Sequence, residues 1–171
     1  MKNKTKKKAM SEVVTAVIMV VLVMSLIAIV WGVISNMVNK ELKTTQSCFG
    51  NFDRVTINEA YTCYNSSSGE FYFSLNVGDI EIDKILISIS SLGSSNSITL
   101  NSTSQTLTNP SVTNYPSKTT GVQAPNKNSG RTYIISGYTT IPDSIRVSPI
   151  IGGEDCQESD SLTNIETCSN Y

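Results

Sequence analysis

The spacing of apolar positions changes once along the chain. From Val13 to Ile34 the sequence reads "VVTAVIMVVLVMSLIAIVWGVI", 22 residues with no charge and only Thr15 and Ser25 polar. A helix of that length has no polar face, and at about 1.5 Å rise per residue it spans roughly 33 Å, the thickness of a bilayer core. Fourteen of the 22 residues are Val, Leu or Ile. At roughly −0.3 to −0.6 kcal/mol each, they bias the segment toward membrane insertion by about −4 to −8 kcal/mol. β-Branched residues lower helix propensity in water, but lipid forces the backbone to bond within the segment, so a helix is expected. The pattern continues through "SNMVNKEL" to about Leu42, and the polar residues 43–47 then read as a linker.

From residue 48 onward the period drops toward two. "EFYFSLNV" places Phe71, Phe73, Leu75 and Val77 on one face of a strand, and "KILISIS" does the same for Ile85, Ile87 and Ile89. Gly78 and Asp79 mark a turn between them. Ile80 and Ile82 have the opposite parity, which predicts a bulge or bend near Asp83. "SITLNST", "RTYIISGY" and "SIRVSPI" supply further strands, whereas residues 107–129, with Pro110, Pro116 and Pro125, read as an exposed loop. The expected fold class is α+β: a long N-terminal hydrophobic helix (10–42) and a small antiparallel β-sandwich or β-sheet head (48–171).

Composition sharpens this picture where charge is concerned. The 171 residues, 39% of them hydrophobic, suffice for one domain and an anchoring segment. Net charge is −1, yet Lys2, Lys4, Lys6, Lys7 and Lys8 supply five of the 13 basic residues. Without residues 1–9, the remaining 8 basic residues face 14 acidic ones, a net −6, which argues against a nucleic-acid partner. The lysine cluster keeps the N-terminus cytoplasmic and directs the head outside. A secretory signal peptide fits poorly, because the apolar core is longer than the usual ~7–15 residues and no A-x-A-like site follows it.

Cys48, Cys63, Cys156 and Cys168 form an even set in a domain expected outside the cell, which suits two disulfides. Local pairing, Cys48 with Cys63 and Cys156 with Cys168, is favoured because each loop closes easily. Crossed pairing that ties the ends of the head together stays open. Asn65 in "NSS" and Asn101 in "NST" match the N-glycosylation sequon. The cysteine spacings do not resemble zinc ligands, and the chain has no histidine. Asp79, Glu81 and Asp83 share one face of an extended segment, where they either hold calcium or form a solvated face; the solvated face is preferred. No nucleophile stands in a G-x-S-x-G or S-x-x-K context, so neither an enzyme nor a cofactor or metal site is expected. Trp31 fits either a lipid interface or a helical bundle.

The remaining oddity is Glu12, a charge at the mouth of the apolar run. The lysine cluster, the dipeptide Lys8-Ala9 and "MSEVVTAVIMVVLVMSLIAIV" resemble the class III signal sequence of archaeal type IV pilins and archaellins. That resemblance covers about the first 40 residues. It implies that a prepilin peptidase cuts after Ala9, making residues 1–9 a leader and Met10 the new N-terminus. Ala9 stands where glycine is frequent, and the carboxylate becomes the third residue of the cut chain rather than the fifth, which points to the archaeal branch. The resemblance further implies a homo-oligomeric helical filament, built by pilus assembly machinery from a single-pass membrane precursor. Assembly residues include Glu12, Val13 and, near mid-helix, Val21. Glu12 then either caps its own helix or neutralises the Met10 amine of a neighbouring subunit. The competing class is an uncleaved, single-pass surface protein with a ligand- or cell-wall-binding head.

Overall fold

In the computed structural model, which describes residues 4–169 and not the side chains of residues 4–12, 40, 41 and 43–47, the apolar run lies within one helix, α1 (Lys4–Cys48). The helix includes residues 43–47, so the expected linker is helical backbone. Thr, Gln and Ser each cost only a few tenths of a kcal/mol in a helix. No Gly or Pro intervenes until Gly50, whose φ of 81° ends the helix in the left-handed conformation. The chain divides into two compact units, Met1–Lys43 and Thr44–Tyr171.

The second unit is β-rich. Its strands are β1 (Val55–Ile57), β2 (Cys63–Asn65), β3 (Glu70–Val77), β4 (Lys84–Ser91), β5 (Ser94–Asn101) and β6 (Leu107–Thr108). They continue with β7 (Ser111–Asn114), β8 (Ser129–Ser136), β9 (Ser144–Ile151), β10 (Glu154–Asp155), β11 (Asp160–Leu162) and β12 (Glu166–Thr167). One sheet has the order β12-β2-β3-β8-β7-β6, with β1 also on β3; the other has the order β10-β9-β4-β5, with β11 also on β9. All pairings are antiparallel except β2 with β12.

The period-two residues explain why two sheets share one core. Phe71 and Phe73 pair across the ladder with Ile135 and Tyr133, and Ile85, Ile87 and Ile89 pair with Pro149, Val147 and Ile145. All of these side chains except Pro149, together with Leu75, Ile98 and Leu100, are buried in a single cluster between the sheets. Phe73 stacks on Tyr133 with centroids 5.1 Å apart. Ile80 and Ile82 belong to the 78–83 connection that crosses between sheets, so their change of parity marks a crossover. Residues 107–129 are not simply an exposed loop: β6 and β7 lie there, and Val112, Val122 and Ala124 are buried in the core.

The sheets are also joined at their edge. Ile57 N–H donates to Asp160 Oδ2 at 2.8 Å and Val55 N–H to Ser159 Oγ at 3.4 Å, so side chains at β11 satisfy the backbone of β1. Gly69 adopts φ 65°, and a Cβ there would lie 2.9 Å from the Tyr138 carbonyl oxygen, so the turn before β3 requires glycine.

The disulfides correct the favoured local pairing. Cys48 bonds to Cys156 and Cys63 to Cys168, the crossed arrangement. Strand pairing determines this: β12 lies beside β2, with Glu166 opposite Cys63, and Cys168 N–H donates to Tyr64 O at 2.9 Å. Cys63, Tyr72 and Ile134 form a second apolar cluster, against which Cys168 packs. Each bond spans more than 100 residues, 108 and 105 respectively. Bonds of this kind typically contribute about 2–4 kcal/mol. Non-reducing peptide mapping is expected to recover Cys48–Cys156 and Cys63–Cys168 peptides, with no thiol labelled in the unfolded, unreduced chain. A Cys48–Cys63 peptide would contradict this pairing.

Candidate functional site: an uncovered apolar helix and the polar domain

Within α1, residues Val13–Asn39 form a 27-residue stretch of mean hydropathy 3.1, long and apolar enough to cross a membrane. Its side chains lack cover on every face: Val13, Val21 and Trp31 are 63%, 61% and 71% exposed. Ser25 Oγ donates to Leu22 O at 2.8 Å, so this hydroxyl is satisfied within the helix and does not interrupt its apolar surface. A helix that is apolar all round requires lipid or other helices around it. The side chains of Lys8, Ala9, Met10 and Glu12 lie outside the described residues. Their backbone is helical, and because α1 starts at Lys4, Glu12 stands about two turns inside it. The N-terminal dipole fades within the first turn and does not reach Glu12 in the intact chain.

In the β domain, the two sequons differ in what their amides do. Asn65 closes β2, and its Oδ1 accepts the N–H groups of Ser67 and Ser68 at 3.0 and 3.3 Å. Asn101 closes β5, where its Nδ2 donates to Gln105 Oε1 and Gln105 Nε2 donates to Thr99 O. The acceptor nitrogen of Asn101 is therefore already engaged, whereas the bonds described for Asn65 use its oxygen. Asp79 pairs with Lys127 at 2.9 Å and accepts from Asn128 Nδ2, while Asp83 Oδ2 accepts the Gly153 N–H at 2.8 Å. These separate partners hold two of the three carboxylates considered for calcium. Among the described residues no group of three or more His, Cys, Asp or Glu could hold a metal ion.

One carboxylate was not distinguished by any sequence motif. Glu70 Oε1 lies 2.6 Å from Lys118 Nζ, and its Oε2 accepts the Tyr72 hydroxyl at 2.7 Å and the Ser68 hydroxyl at 3.2 Å. The Lys118 hydrogen bond, followed by that of Tyr72, holds the Glu70 carboxyl below its ordinary value of 4.5. The pair connects β3 with the 115–119 turn across 48 residues, a distance at which sequence pattern carries no information. Tyr133 is pushed well above its usual range by burial, so its hydroxyl stays neutral and donates to Gln123 O at 2.6 Å.

No protein-family model matches the chain, and no curated protein matches it either.

The Glu70 arrangement sets a pH dependence. Because the folded pKa lies below the unfolded one, its stabilisation is present above about pH 4.5 and is lost as pH falls through the lower folded value. Thermal midpoints of the full chain in micelles should therefore show wild type above Glu70→Gln near neutral pH, with the gap closing in acid. A gap independent of pH would remove the ionised Glu70 from the account.

Proposed function

We propose that the chain is a structural subunit of an archaeal type IV pilus or archaellum-like filament, polymerising through its N-terminal helix after prepilin peptidase removes residues 1–9. The observation that carries this reading is the 27-residue apolar stretch exposed on all faces, in one chain with a disulfide-bonded β domain. Lipid covers the helix in the single-pass precursor, and neighbouring copies cover it in the filament. A helical array of identical subunits is a heterologous, non-closing contact and so gives an open polymer at the cell surface. The disulfides fit an extracellular location for the domain.

The second reading, an uncleaved surface protein with the same anchor, is favoured by the match between this helix and a bilayer core. The N-terminus separates the two. Protein recovered from a peptidase-competent archaeal host is expected to begin at Met10, and Ala9→Trp is expected to retain residues 1–9. Mass spectrometry finding Lys2 to Ala9 on the wild-type chain would leave the anchor as the better reading.

Assembly is tested one step later. Once the chain is cut, the α-amino group of Met10 lies two residues from Glu12, which then sits in the first helical turn. Pairing between Glu12 and a neighbour's amine offsets the burial of both charges, and losing one partner costs about 3–5 kcal/mol. Glu12→Gln should be processed and inserted normally yet enter filaments poorly. Val21→Asp should abolish them, because an unpaired carboxylate in an apolar bundle costs several kcal/mol. Electron microscopy showing wild-type filament numbers for Glu12→Gln would reduce Glu12 to a helix-end charge, and the same result for Val21→Asp would overturn the packing model.

A further inference from the structure

Three stretches of the chain fit the Asn-x-Ser/Thr pattern, with x other than Pro, that marks acceptors of N-linked sugar. Asn3 in "NKT" lies in the lysine cluster, which the charge pattern assigns to the cytoplasmic side. Asn65 and Asn101 both lie in the β domain, and the motif does not tell them apart. Their folded surroundings do.

The pattern requires two groups at once, a carboxamide nitrogen and a hydroxyl two residues further on. At Asn65 both are available. Asn65 ends β2 and stands opposite Glu70, the first residue of β3, across a hairpin whose tip is residues 66–69. Gly69 N–H closes this hairpin on Asn65 O at 2.9 Å, and Ser66, Ser67 and Ser68 are exposed. The Asn65 side-chain oxygen turns back onto the tip and accepts the Ser67 and Ser68 N–H groups, an Asx-turn that holds the carboxamide beside Ser67. A carboxamide has one oxygen acceptor and two N–H donors. Here the oxygen is occupied, whereas among the described residues neither Asn65 Nδ2 nor the Ser67 hydroxyl makes a hydrogen bond. Two N–H groups on the carbonyl oxygen draw electron density from the amide nitrogen, which makes its proton easier to remove.

Asn101 is the opposite case. Its Nδ2 donates to Gln105 Oε1, and Gln105 Nε2 donates in turn to Thr99 O. The backbone around it is tied as well: Asn101 O accepts the Ala124 N–H at 2.7 Å, and Ser102 N–H donates to Asp83 O at 3.0 Å. Gln105 exchanges two backbone bonds of 2.8 Å with Val122, which is fully buried. Transfer to Asn101 must first open a bond inside this network. At Asn65 nothing has to open.

We propose that Asn65 is an N-glycosylation site of the folded domain and that Asn101 is not. The donor is a lipid-linked sugar phosphate, and the catalyst is a membrane glycosyltransferase. Asn65 Nδ2 forms a bond to the anomeric carbon of the sugar as the bond from that carbon to the phosphate oxygen breaks. The phosphate leaves with the electron pair, one amide proton passes to a base on the enzyme, and nothing is oxidised or reduced. The inference rests on the outside location of the domain, which both readings of the helix share, and not on polymerisation.

The test uses the full chain from an archaeal host that N-glycosylates its own surface proteins. After reduction, trypsin separates the two acceptors, since residues 55–84 contain Asn65 and residues 85–118 contain Asn101. Mass spectrometry with fragmentation should place a sugar on Asn65 at an occupancy about fivefold or more above that of Asn101, the factor for opening one hydrogen bond. Ser67→Ala keeps the N–H held by Asn65 Oδ1 and removes only an exposed hydroxyl, so it should abolish the modification with no loss of disulfide-bonded chain. Gln105→Ala releases Asn101 Nδ2 and should raise the occupancy of Asn101. Leu92→Asn controls for location: with Gly93 and Ser94 it places a new sequon in the exposed β4–β5 turn, where a φ of 50° suits Asn. An unmodified Asn65, equal occupancy at Asn65 and Asn101, or sugar on the serine hydroxyls of residues 66–68 instead of the amide would each overturn the proposal. Where Asn65 is bare, a sugar at position 92 of the Leu92→Asn chain puts the fault in the choice of site, and its absence counts against the outside location as well.

Discussion

The 27-residue stretch Val13–Asn39, with only Thr15, Ser25, Ser35, Asn36 and Asn39 polar, presents apolar side chains in every direction, and water is a poor solvent for such a surface. Burial of apolar area contributes about 25 cal/mol per Å², and a helix with no polar face has no orientation that avoids the cost. Some other apolar phase must cover it. The rest of the chain is consistent with that constraint: lysines flank the N-terminal side of the run, Ser25 bonds within the helix, and the polar, disulfide-bonded residues come after it. This is the arrangement of a segment that either remains in lipid or exchanges lipid for neighbours of its own kind.

The β domain meets a separate demand. Its core is one layer of side chains between two sheets, and several of its strands are only two or three residues long. Short strands contribute few ladder bonds, so residues at the ends of the domain are fixed by other means. Cys63–Cys168 fastens the β2–β12 pair, while Asp160 and Ser159 satisfy the backbone of β1. Cys48, the last residue of α1, is bonded to Cys156, so a pull applied at Cys48 reaches Cys156 without passing through residues 49–155. Reduction would route that load through β1 and β2, which have three residues each.

What could be read in advance followed the range of the interaction. The apolar helix and the strands containing Phe71 to Val77 and Ile85 to Ile89 are local patterns, and they form as their periods require. Residues 43–47 mislead because their polar composition resembles a break, although nothing there opposes a helix. Prolines misled in the same way at residues 107–129, where Val112, Val122 and Ala124 are isolated apolar positions whose burial depends on distant strands. The cysteines show the scale of the competition. Closing a loop of about 15 residues rather than about 108 saves only about 1.7 kcal/mol, too little to outweigh the sheet topology that sets Cys63 beside Cys168.

Glu12 links the two readings of the N-terminus through charge alone. In the intact sequence Lys8 precedes it by four residues, one helical turn, and Lys4, Lys6 and Lys7 lie just upstream, the spacing at which opposite charges on a helix favour each other. A cut after Ala9 removes all of them at once. It also creates an α-amino group two residues away and brings the positive end of the helix dipole to the first turn, where a carboxylate is favoured. If the chain were cut there, the same acid would have a cation near it in sequence both before and after, but a different one. For an uncleaved anchor only the first of these environments exists, and any acid within reach of the lysines would serve equally well. On the proposed filament reading, its position three residues into the cut chain gains a physical use, because the new terminus then forms beside it.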